Sequence, residues 1–304
     1  MAETTQHSSF AHDLQDFLTD RRSRNLSVKT IRWYKDSLAI FEVYALNHKV
    51  AQTTDVSPNL LRQFLIHLAD KGHNPGGVRN IFITVRAFIN WHLEEYKPNG
   101  WEPLKNVRLP KQTIEPLTPL SVADFKKLIA TCNARTLTGD RDRALLLVLF
   151  DSGVRKQELI NLKVSDVEMN TGQILIRVGK GRKARVTFIG QKTQRALRQY
   201  LRHRNDLKND DPLWIERKGK KLTPSGLREI IRRRAKKAGI PAPGLHDFRR
   251  AFALNALRSG MDVVTLQRLL GHSSLAIINR YLAQTGEDLR EQHQKTSPVD
   301  NLLD

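Results

Sequence analysis

His246-Asp247-Phe248-Arg249-Arg250, followed by Gly271-His272 and then Tyr281, is the stretch on which the reading of this chain turns. Behind His246, the apolar residues Phe252, Leu254 and Leu257 recur at helical spacing. Gly260 reads as the stop, because glycine enters the left-handed region cheaply. Val263, Val264, Leu266 and Leu269-Leu270 predict a second short helix, ended by Gly271. A third begins at Ser273-Ser274 and carries Tyr281. A histidine, an arginine, a second histidine and a tyrosine thus each fall at or near a turn between short helices. From such turns their side chains can converge on one pocket. Singly they are ordinary, since either histidine taken alone is more often a satisfied structural residue.

Two blocks upstream extend the pattern. Ser152-Gly153-Val154-Arg155, with Glu158-Leu159 three residues on, follows the apolar run from Ala144 to Phe150, which predicts a buried helix over 143–150. An arginine directly after such a helix and a glycine is placed like a site residue, and Glu158 would orient local backbone or an arginine. Gln173–Val178 and Ala184–Ile189 alternate as strands around Gly179-Lys180-Gly181-Arg182, which predicts a β-hairpin. A lysine in such a turn is usually only solvated. With Arg182, Lys183 and Arg185 beside it, phosphate contact is the better reading.

These four ordered blocks resemble those of the tyrosine recombinases, the phage integrase family, over the C-terminal two-thirds of the chain. The departures are Lys156 and Gln157 after Arg155, Ala251 where a hydroxyl residue is usual, and Ile277-Ile278 where threonines are frequent. None falls on a position the family uses for chemistry. The resemblance implies a mainly α chain with a small β-hairpin in its C-terminal domain. It also implies a C-shaped clamp made by a helical core-binding domain and a catalytic domain. The implied catalytic set is Arg155, Lys180, His246, Arg249, His272 and Tyr281.

Charge points the same way. The chain of 304 residues carries a net charge of +20; residues 1–120 hold 15 basic against 12 acidic groups, and the remainder 36 against 19. Within 177–237 the imbalance reaches 21 to 5. An excess so one-sided suits a polyanion, because each neutralised phosphate releases condensed counterions. The single cysteine, Cys132, allows no internal disulfide and fits a reducing cytoplasm. No signal peptide is visible, and no apolar run is long enough to span a membrane.

Read in order, residues 8–97 predict a helical bundle, which the resemblance implies is the family's SAM-like core-binding domain. Its stripes are Phe10, Leu14, Phe17 and Leu18; Ile31, Tyr34, Leu38 and Phe41 behind a Ser27 cap; Leu61, Phe64, Leu65 and Leu68 behind Ser57-Pro58; and Val78 to Ile89 behind Pro75-Gly76-Gly77. The aromatic side chains read as core rather than as stacking platforms for bases. Residues 98–119 hold five of the twelve prolines and predict an extended basic linker, either closing a clamp or simply solvated. The catalytic domain would span 120–284, its first helix opened by Ser121 and Asp124. Residues 191–205 predict a basic helix, and Thr223-Pro224 opens another with Arg232-Arg233-Arg234, the best candidate for groove or backbone contact. Three arginines around a helix cannot all face one way. The tail, 285–304, is either frayed or, as the resemblance implies, docked into a neighbouring protomer. With no arm-binding domain expected before residue 8, the layout resembles Xer-type and simpler phage or transposon recombinases.

Breaking a phosphodiester without a metal requires a nucleophile, a proton acceptor, charge stabilisation and an acid. Tyrosine, with a pKa of about 10, must lose a proton as it attacks. His246 or His272 could take it. Arg155 and Arg249 can grip nonbridging oxygens with planar forks, and Lys180 can protonate the departing 5′-oxygen. The resemblance implies a 3′-phosphotyrosyl link, double-stranded recombination sites as partners, and a tetramer on two sites, formed with itself or with a paralogous recombinase. No cofactor or metal is expected, and the histidines lack metal-ligand spacing. Two other readings are a type IB topoisomerase, which needs no defined pair of sites, and a non-catalytic sequence-specific DNA-binding protein. The Gly179–Arg185 block argues against the first, and the intact catalytic set against the second.

Overall fold

The computed structural model describes residues 9–110, 119–177 and 184–271, with isolated positions in the tail (Arg290, His293, Gln294, Ser297, Val299 and Asp300). The chain divides into two compact units, Met1–Glu115 and Pro116–Asp304.

Among its described residues the first unit is built of four α-helices: α1 (Phe10–Ser23), α2 (Val28–Asn47), α3 (Pro58–Asp70) and α4 (Pro75–Tyr96). Each starts where a short polar side chain satisfies an orphan amide of the first turn. Ser9, Ser27, Ser57 and Asn74 accept from His12, Thr30, Leu60 and Gly77 respectively. The aromatic residues form its core, as their spacing predicts. Phe10 meets Phe41 and Phe88 edge-on with ring centroids 5.8 Å apart, and Phe41 meets Phe64 at 5.0 Å. Edge-to-face contact of this kind favours opposed ring quadrupoles.

The chain after α4 departs from the expected extended strand. Trp101 donates its indole N–H to the Val56 carbonyl at 3.0 Å. Leu104, Val107 and Leu109 pack with it against the helical core. Apolar residues interleaved between the prolines outweigh proline stiffness, so this part of the linker is bound to the first unit.

The second unit contains α5 (Val122–Ala130), α6 (Leu137–Ser152), α7 (Lys156–Asn161), β1 (Gln173–Ile176), β2 (Arg185–Phe188), α8 (Gln191–Leu201), α9 (Pro224–Ala238), α10 (Leu245–Arg258) and α11 (Val263–Leu270). β1 and β2 pair antiparallel, with Gln173 opposite Phe188 and Ile176 opposite Arg185. The predicted hairpin is therefore present in shorter strands, and residues 178–183 lie outside the described residues. α6 is the central element. Ala144, Leu145, Leu146, Val148 and Leu149 are all buried, against α8 on one side and α10 on another.

α6 also begins earlier than the apolar run suggests, with Thr136 as its cap. The charged residues Asp140, Arg141 and Asp142 enter the interior because they are paired there. Arg141 donates to one Asp142 oxygen through Nε and Nη2, while Arg233 and Arg234 donate to the other. His203 Nε2 lies 2.7 Å from Asp140. Buried charges persist only when partnered in this way. Among the described residues, no helix is long and apolar enough to cross a membrane.

Candidate active site

Gly153 ends α6 in the left-handed conformation, at φ +59°. A Cβ there would stand 2.5 Å from Phe252 and 2.9 Å from Leu270, so close packing as well as backbone angle requires glycine. The turn releases Arg155 as the N-cap of α7. Glu158, one turn into that helix, reaches back and accepts from the Arg155 amide at 2.8 Å and from its Nη1 at 3.0 Å. The same carboxylate receives a two-pronged grip from Arg185 on β2, at 2.8 Å and 2.7 Å. Burial alone would push Glu158 upward, but the hydrogen bonds and charge of Arg185 and Arg155 outweigh it and hold the group at about 2.

The C-terminus of α11 closes the site. A helix leaves its last carbonyls without intrahelical partners, at the negative end of its dipole. Here three consecutive carbonyls are each taken by a different arginine. Arg185 Nε donates to Leu269 at 3.0 Å, Arg249 Nη2 to Leu270 at 2.7 Å, and Arg155 Nη2 to Gly271 at 3.0 Å. Arg249 also donates to the Gly153 carbonyl through Nη1. The end of α11 thus gathers guanidinium groups from the start of α7, from β2 and from α10. Arg155 has 33% of its side chain exposed, whereas Arg249 is 3% exposed, so Arg155 presents the open edge of the cluster.

His246 lies one turn before Arg249 in the first turn of α10, spaced to share a face with it. Asp247 caps that helix by accepting from the Gly244 amide. Partial burial, then the nearby Arg250 and Arg249, push the His246 imidazole below its ordinary range; Asp247 opposes them weakly, and Lys156 adds to the lowering. A lowered value favours the neutral ring, the form able to accept a proton.

The structure thus brings Arg155 and Arg249 into one cluster, with His246 beside Arg249 on α10. Lys180, Arg182, Lys183, His272 and Tyr281 lie outside the described residues. Four residues read as DNA contacts have other engagements. Arg234 is 5% exposed and is spent on Asp142 and the Thr131 carbonyl, so it is a core residue and not a groove contact. Arg233 is tied to Asp142 but half open, and Arg232 is exposed beside Glu229. Arg185 uses three of its five N–H donors internally. A signal for Arg185 was available, because residues 185, 187 and 189 share one strand face and Thr187 and Ile189 on it are buried. Among the described residues, no group of three histidine, cysteine or acidic side chains could hold a metal ion.

Comparison with known proteins identifies the family. The phage integrase family matches residues 119–287, and the phage integrase N-terminal SAM-like domain matches residues 11–96. The chain belongs to the phage integrase family. Within that family it is 32% identical over 294 residues to tyrosine recombinase XerA of Pyrococcus furiosus, covering 95% of this chain and 96% of that one. It is 30% identical over 283 residues to tyrosine recombinase XerC of Thermodesulfovibrio yellowstonii, covering 90% and 91%. The Tn1549 transposon integrase, solved in complex with transposon right end DNA, superposes with a TM-score of 0.74 at 17% identity, covering 94% of this chain and 99% of that one. That last likeness is one of fold. It sets this integrase-family chain among mostly helical proteins with a small antiparallel sheet.

Proposed function

We propose that this chain is a site-specific DNA recombinase that cuts and rejoins double-stranded DNA through a 3′-phosphotyrosyl intermediate. The observation that supports it most is the convergence of Arg155 and Arg249 on the end of α11, immediately before His272 in the sequence. In this reading residues 8–97 form the core-binding domain and 120–284 the catalytic domain. The protein works in the cytoplasm, as a homotetramer on two sites.

The Tyr281 oxygen attacks the scissile phosphorus as the bond from phosphorus to the 5′-oxygen breaks. His246, whose surroundings favour the neutral ring, takes the tyrosine proton, and His272 is the alternative acceptor. Arg155 and Arg249 hold the charge that develops on the nonbridging oxygens. Their carbonyl partners fix them beforehand, so little reorganisation is needed during the reaction. Lys180 gives a proton to the departing 5′-oxygen. The phosphotyrosyl bond conserves the energy of the broken linkage, so a 5′-hydroxyl from a second site can reverse the step without ATP.

The test is a nicked suicide substrate incubated with the protein. An SDS-resistant adduct is expected from the unaltered chain and none from Tyr281→Phe. An adduct with Tyr281→Phe would refute the assignment. Relaxation of supercoiled DNA that has no paired sites, without strand exchange between paired ones, would indicate a topoisomerase.

A further inference from the structure

We propose that Arg185 is a positioning residue for DNA cleavage, acting through Glu158 on Arg155, and that residue 271 is glycine to let the Arg185 side chain pass. This rests on the recombinase reading above and deepens it. Arg185 has the composition and location of a phosphate contact, in a basic hairpin of a DNA-binding chain. Its geometry is that of an internal strut. Only 12% of the side chain is exposed, both Nη atoms are bonded to Glu158, and Nε is bonded to the Leu269 carbonyl.

The consequence concerns charge as much as position. Glu158 is one carboxylate shared by two arginines. Arg185 takes both of its oxygens in a fork, the stronger geometry, and leaves Arg155 one of them plus the Gly271 carbonyl. The Glu158–Arg185 pair is then close to neutral, and the Arg155 charge stays available to a phosphate. Without Arg185, Glu158 would be free to pair fully with Arg155 and cancel that charge. The Nε bond does a second task, holding the end of α11 against β2 next to the carbonyls that fix Arg249 and Arg155. Gly271 permits this passage. A Cβ on it would stand 2.7 Å from Arg185 Cδ and 2.9 Å from Nε, on a backbone already at φ +63°.

Single-turnover cleavage of the suicide substrate at saturating DNA, with DNA affinity measured across a salt series, separates the two roles. Arg185→Gln should bind with unchanged affinity and unchanged salt slope while cleaving at least about tenfold more slowly, since misplacement of about 1 Å can cost 10²-fold. Arg185→Lys should not restore the rate, because one ammonium cannot replace a fork plus a third donor. In a Glu158→Gln background, Arg185→Gln should cost much less than it does alone, because the two act as one unit. A weaker affinity with a salt slope reduced by about 0.9 would identify a phosphate contact and overturn the proposal. Additive losses in the double variant would overturn it too. Should Arg185→Gln fail to fold, Gly271→Ala tests the same strut with Arg185 present; an undiminished rate there would also overturn it. Absence of any adduct with the unaltered protein refutes the recombinase reading itself. An adduct from the unaltered protein with an undiminished Arg185→Gln rate refutes only the positioning role.

Discussion

Glu158→Gln should destabilise the protein at neutral pH and have almost no effect in acid. The side chain keeps its shape and loses its charge, so the perturbation is confined to the two arginine partnerships and the Arg155 amide. Glu158 is lowered from 4.5 to about 2, and at about 1.4 kcal/mol per unit this corresponds to roughly 3 kcal/mol. Solvent screening is modest, because only 12% of the side chain is exposed. The folded-state value lies below the unfolded one, so the contribution is fully present above about 4.5 and disappears as pH falls toward about 2. Urea unfolding of both proteins from pH 7 down to pH about 3 supplies the assay, with equal slopes required before midpoints are compared. The gap in stability should be flat from pH 7 to about 5 and narrow steadily below it. A gap that stays constant into acid, or widens there, would show that the carboxylate is not stabilised by its arginines.

Three further outcomes test the residue roles proposed above. His246 is held below its ordinary range, so the acid limb of cleavage at sub-saturating DNA should be centred below the ordinary histidine value of about 6.5; His246→Gln should abolish that limb, and a limb above the ordinary value would contradict the role. Arg234→Ala should cost about 3 kcal/mol or more in urea unfolding, by stripping a partner from buried Asp142, without changing the salt slope of DNA binding; a shallower slope would make Arg234 a DNA contact after all. Lys180→Ala should cleave slowly, about 10²–10⁴-fold down, but recover on a substrate with sulfur at the bridging 5′ position, because a thiolate leaves without a proton. No recovery would place the acid elsewhere.

The described helices were legible because they depend on local signals. Caps at Ser27, Ser57 and Ser121 and the stop at Gly271 are written in single residues whose conformational preferences act within one turn. The central helix was legible only where it is apolar. Asp140, Arg141 and Asp142, ahead of the apolar run, carry no local signal of burial, because groups that partner both aspartates lie far away in sequence. Arg233 and Arg234 come from α9 and His203 from just beyond α8. The proline-rich stretch failed for a related reason. Its stiffness is local and visible, but the surface that Trp101, Leu104 and Val107 cover belongs to helices many residues earlier.

Arg185 shows how the two kinds of signal can conflict within one residue. Composition assigns it to DNA, since it lies in the most basic part of the chain. Strand alternation assigns it to the interior, beside Thr187 and Ile189. The conflict resolves in favour of alternation because register is set by the whole strand. Turning Arg185 outward would turn Thr187 and Ile189 outward with it and expose the buried face. Once the guanidinium is inside, its charge needs a carboxylate, and Glu158 is the one that α7 offers. A buried arginine on a strand next to an arginine-bearing helix start therefore predicts a shared acid between them. On that argument Glu158 is retained for two partners, and replacing either arginine alters the charge that the other presents.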